Sequence, residues 1–138
     1  MKNLLFITLL FSTTAFTNIN LICDKPYYFF PDLEQRVLLS FDSTENIVSR
    51  INLSNNLMEV LDRKHTYAVT NEYYKWGYLQ SEFVYLYTVN RSTLEYINSY
   101  MPSSPEFYKC KKIDDIEYQD AKKDLEDYSQ KVKDKRKI

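Results

Sequence analysis

The 138-residue sequence holds one glycine, Gly77, and one histidine, His65. A single glycine excludes the glycine-rich loops that cradle phosphates. A single histidine excludes His–His metal sites and two-histidine catalysis. Cysteine is scarce as well, and the spacing of Cys23 and Cys110 fits neither a zinc site nor a Cys-x-x-Cys redox motif. There is no excess charge of either sign: 18 basic residues face 19 acidic ones, whereas a dedicated nucleic-acid binder is normally basic. Calcium needs a dense, loop-borne oxygen cluster, and none stands out. No metal or cofactor is expected. The 44% hydrophobic content is enough to build the core of one domain.

The first residues read as a targeting segment. Lys2 supplies a positive start, and Leu4 to Phe11 is an almost unbroken apolar stretch of signal-peptide length. Small residues follow, so cleavage is expected after Ala15 or Thr17. Thr17, Asn18 and Asn20 interrupt the extension that a membrane-crossing helix of about 20 apolar residues would need. Contact with a membrane is expected only through this segment if it stays uncleaved. Export fits the cysteines. Cys23 and Cys110 stand near the two ends of the segment that reads as folded, where an oxidising compartment would let them join. Two unpaired buried thiols are the other reading. The expected location is the periplasm or the exterior of the cell.

From Arg36 onward, short β-branched and aromatic runs alternate with polar breaks. They are Val37 to Phe41, Ile47 to Leu53, Leu57 to Leu61, His65 to Thr70, Tyr73 to Leu79, Phe83 to Val89, Thr93 to Ile97 and Phe107 to Ile113. In the second run Ile47, Ile51 and Leu53 share one face, with Arg50 and Asn52 on the other. Asp62-Arg63-Lys64 reads as a break. Leu53 to Arg63 is the stretch where a helix competes best with strands. Phe83 to Val89, apolar nearly throughout, reads as a strand covered on both faces. Asn46, Asn55, Asn56, Asn71 and Asn90 fall at the breaks, where asparagine is the best substitute for glycine at positive φ. The fold class is therefore mainly β: residues 18–113 form a small antiparallel meander closed as a barrel or sandwich.

Residues 114–138 differ. Ala121, Leu125, Tyr128 and Val132 recur at helical spacing, with acids gathered at the start and bases at the end, as the helix dipole favours. The stripe is narrow. It fits packing on the β domain, pairing with a partner, or projection into solvent.

Thirteen tyrosines are the most suggestive feature. Tyr74, Trp76 and Tyr78 share a face of an extended strand, where they form either core or a surface that stacks on a sugar or an apolar partner. Asp62 is close enough in sequence to His65 to orient it, but no activated nucleophile stands at a recognisable spacing. Asp114, Asp115 and Glu117 are explained by a helix N-terminus. No catalytic residue is assigned.

The stretch Trp76 to Ile113 carries a tryptophan strand, a hydrophobic strand running into Asn90-Arg91-x-Thr93-Leu94, and a short strand ending in Tyr108-x-Cys110. In this it resembles the C-terminal half of small secreted proteins met in bacterial and phage genomes. The resemblance implies a small exported β domain with a cysteine near its end, with Arg91 bridging a turn, and implies no activity. Position 94 is often glycine in that family, so leucine is a departure.

The expected function is a non-enzymatic binding or interaction module with a protein or glycan partner in the cell envelope and no nucleic acid. Its candidate surfaces are Tyr74, Trp76 and Tyr78, and the helix face of Leu125, Tyr128 and Val132. The alternatives are a small envelope-glycan hydrolase with fold-assembled carboxylates, and a structural or phage-accessory protein without a ligand.

Overall fold

The computed structural model describes residues 18–26, 32–101 and 103–137. The expected signal segment lies outside them. Eight antiparallel strands form a meander that closes on itself: β1 (Ile19–Asp24), β2 (Val37–Asp42), β3 (Ile47–Leu53), β4 (Val60–Val69), β5 (Tyr73–Leu79), β6 (Val84–Asn90), β7 (Glu95–Asn98) and β8 (Glu106–Ile113). Between barrel and sandwich, closure decides for the barrel, because β1 pairs with both β2 and β8. A helix, α1 (Asp115–Arg136), follows.

Strand alternation divides the apolar residues into two cores. Leu21, Cys23, Val37, Leu39, Phe41, Val48, Tyr74, Trp76, Tyr87, Val89, Tyr96 and Tyr108 fill the barrel. Ile22, Leu38, Ile51 and Leu53 point outward and are covered by Tyr118, Ala121 and Leu125 of α1. The helix begins where Asp114 caps it, its carboxylate accepting from the Glu117 N–H at 2.8 Å. It is then held along its length. Asp115 accepts from the Asn20 side chain, the Tyr128 hydroxyl donates to Glu34, and Arg136 donates to the Asn56 carbonyl.

This arrangement corrects the expectation for Leu125, Tyr128 and Val132. Leu125 is fully buried against the barrel wall and Tyr128 packs half-buried beside it, so these two serve the fold, while Val132 is half-buried outside that cluster. It also corrects the expectation for Phe83 to Val89. The strands buried on both faces are β1 and β2, which have residues in both cores. In β6 only Tyr87 and Val89 are buried, and Phe83, in the turn before it, is 82% exposed.

Cys23 and Cys110 are directly opposed across the β1–β8 pairing and are joined as a disulfide, which leaves no free cysteine among the described residues. The link lies at the seam where the first strand meets the last.

Between β3 and β5 the wall changes partner. Val60 to Thr66 pairs with β3, whereas only Tyr67 to Val69 pairs with β5, opposite Tyr74 to Trp76. The next residue of β5 is Gly77, at φ +70°. Left-handed backbone inside a strand marks a bend, and here β5 leaves β4 while staying paired with β6. The barrel is thus loosened between β4 and β5 at one end. A Cβ on Gly77 would stand 2.7 Å from the Tyr87 ring. Gly77→Ala is therefore expected to cost roughly 2–4 kcal/mol, from positive φ and overpacking together. Denaturant unfolding of the variant checks this, and a midpoint within error of the parent would refute it.

Candidate functional site

At the loosened end the barrel opens into a cleft of about 660 Å³. Its wall includes Val37, Arg50, Asn52, Leu61, Arg63, Tyr87 and Tyr108, and its rim includes Leu57, Asn98, Tyr100 and Met101. Beneath it the rings of Tyr87, Trp76 and Tyr96 form a stack, with Trp76 centroids 5.5 Å from Tyr87 and 5.8 Å from Tyr96 at near-parallel angles. This plug keeps the cleft at one end of the barrel.

Arg50 is the unusual residue of the site. It is only 6% exposed, and its guanidinium lies 4.6 Å above the centre of the Tyr87 ring. Its Nε has no hydrogen-bond partner among the described residues. Arg63 is its direct cross-strand neighbour. Like charges opposed across a strand pair repel each other, and here both line the same cleft.

The carboxylates of the cleft are otherwise engaged. Glu106 lies 2.7 Å from Lys25 and accepts from the Tyr108 hydroxyl at 3.0 Å. The Lys25 hydrogen bond holds its carboxyl below the usual range. Glu34 accepts from Tyr128, and Arg36 is paired with Asp24 at 2.8 and 3.0 Å. Burial raises the Tyr96 phenol above its ordinary range, against the pull of the neighbouring Arg50 charge. The Tyr108 phenol is raised as well, by burial and by Glu106. Both hydroxyls are protonated at neutral pH.

His65 stands beside this group. Partial burial, then the charges of Arg50 and Arg63, lower its pKa. Asp62 does not orient it, because residues three apart on a strand point to opposite faces. Asp62 instead lies 3.8 Å from Lys64.

Of the expected surface of Tyr74, Trp76 and Tyr78, two members are core. Trp76 is 1% exposed, and Tyr74 stacks on Phe41 inside the barrel. The Gly77 bend separates them from Tyr78, which is 48% exposed and packs against Tyr85. The strand face reads as continuous only if the alternation runs through position 77. Arg91 bridges turns at the opposite end: it donates to the Thr70 carbonyl at 2.7 Å and lies over Tyr74. Leu94 there adopts φ +55°, a conformation that costs glycine little.

The sequence reading missed Arg50 and Arg63 as site residues. Among the described residues no three of His, Cys, Asp and Glu are grouped to hold a metal, and no helix is long and apolar enough to cross a membrane. Comparison of the chain with protein-family models, with curated proteins and with solved structures finds no match.

Proposed function

We propose that this protein is an exported binding module that holds a small organic ligand in the open end of its barrel. The observation that carries the reading is the cleft. Its volume is in the range of small-molecule sites, it is bounded below by packed aromatic rings, and its largely polar lining, with Arg50, Asn52, Arg63 and Asn98, offers groups that can orient a ligand. Binding accords with the chemistry better than glycan hydrolysis does. A glycosidase needs one carboxyl kept protonated at working pH. Glu106 is biased the other way by Lys25, and Glu34 is tied to Tyr128. Export is supported by the disulfide and by the character of the first residues.

The test is a fragment screen on isotope-labelled protein followed by NMR. Shift changes are expected at Arg50, Leu61, Arg63, Tyr87 and Tyr108. A screen that moves no cleft resonance, or only those of the Phe83 turn and the exposed side of α1, would overturn the proposal.

A further inference from the structure

Two cavities stand at the two ends of the barrel, and each holds an arginine. In the smaller one, of about 290 Å³, Arg91 is satisfied by the Thr70 carbonyl and the Tyr74 ring. In the larger one Arg50 rests on the Tyr87 ring, but its buried Nε has no hydrogen-bond partner among the described residues. A guanidinium this deeply buried is strongly disfavoured without a paired anion. Among the described residues no carboxylate lies within ion-pair distance of it, and Glu106 is already held by Lys25 and Tyr108. Arg63, opposed across the strand pair, adds a second positive charge. The His65 imidazole, its pKa lowered by these surroundings, does not add a third near pH 7.

The rim sets apolar side chains among Ser54, Asn55, Asn98 and Ser104. Leu57 and Leu61 line the cleft on one side, and Tyr100 and Met101, 66% and 61% exposed, line it on the other. Large apolar side chains exposed beside a cleft mark a surface that something covers. The site thus has a cationic, hydrogen-bond-donating wall and a mixed rim that carries an apolar patch.

We infer that the cleft takes an amphipathic organic acid, its carboxylate or phosphate oxygens between Arg50 and Arg63 and its apolar body against Leu57, Leu61, Tyr100 and Met101. Arginine suits this role because its planar fork donates to two oxygens at once. The Tyr87 ring, 4.6 Å from the guanidinium, supports it from one side. The inference rests on the proposal that the cleft binds ligands, and it names their class.

Calorimetric titration with octanoate, octyl phosphate, octanamide and inorganic phosphate tests it. One of the two alkyl anions is expected to bind at least roughly tenfold more tightly than octanamide, the worth of a charge-assisted hydrogen bond. Which anion wins identifies the headgroup. Arg50→Met is expected to erase that preference while leaving octanamide binding in place. Arg63→Gln, at an exposed position that does not endanger folding, is expected to reduce it in part. Octanamide binding as tightly as both anions would overturn the inference and leave the ligand-binding proposal standing. Inorganic phosphate matching octyl phosphate would overturn the apolar half. If no alkyl compound binds and the fragment screen is also silent at the cleft, both fall.

Discussion

Replacing both cysteines, as Cys23→Ala with Cys110→Ala, is expected to lower stability by roughly 4–5 kcal/mol, the loop-closure term for a link of this span. The two residues are 87 positions apart, so the bond removes more freedom from the unfolded chain than a local link would. With a urea dependence of about 1–3 kcal/mol per molar, the midpoint should fall by about 1.3–5 M. The loss should reach the site. Cys110 lies two residues beyond Tyr108, and Lys25, two residues beyond Cys23, pairs with Glu106. Reduction therefore loosens the seam that carries one wall of the cleft. Urea unfolding with and without reductant measures the effect. Coincident curves would mean that the β1–β8 hydrogen bonds close the barrel unaided.

Strand identity was legible where polar and apolar residues alternate. Ile47–Leu53 and Tyr73–Leu79 are strands over the residues their alternation marks. β1 was missed because it is buried on both faces, so its Leu-Ile run has no alternation and merges with the apolar N-terminus. β4 was split at Asp62-Arg63-Lys64. Those residues continue the strand and sit where its pairing with β5 has not begun, and charge there suits an unpaired edge. The Leu53 to Arg63 stretch is loop and then strand, with no helix. The asparagines act differently from expectation. Of the five, only Asn46 has positive φ. Asn56 and Asn90 instead shape their turns by accepting from backbone N–H groups. Positive φ falls on Leu57, Phe83 and Leu94, where no propensity foretells it.

The site was half legible. The sequence places Arg50 and Asn52 opposite Ile51 and Leu53, and the structure keeps that division. What alternation cannot say is which face looks inward. The apolar face of β3 meets α1 on the outside, and the polar face lines the barrel. The signal was present in two pieces: a narrow helical stripe needing a sheet face to cover, and a strand face of matching character. Only their docking turns Arg50 from a surface residue into the floor of a cleft. A barrel of eight short strands with one outer face capped in this way keeps its interior free for function at one end.

The same docking predicts what happens when the helix is removed. A chain ending at Ile113 would expose Ile22, Leu38, Ile51 and Leu53, all at least nine-tenths buried in the intact protein. Full burial of such side chains is worth about 1.5–3 kcal/mol each, so about 6–12 kcal/mol is at stake. That rivals the roughly 5–15 kcal/mol total stability of a domain this size. The truncated chain is expected to unfold or aggregate, with loss of near-ultraviolet dichroism from the Trp76 stack. Leu125→Ala gives the graded version, an expected loss of about 2–5 kcal/mol. A helix that only recruited a partner would behave oppositely: its removal would leave the barrel spectrum and unfolding midpoint unchanged. Because Arg136 and Tyr128 reach the Asn56 and Glu34 side of the cleft, even the milder variant should weaken ligand binding along with stability.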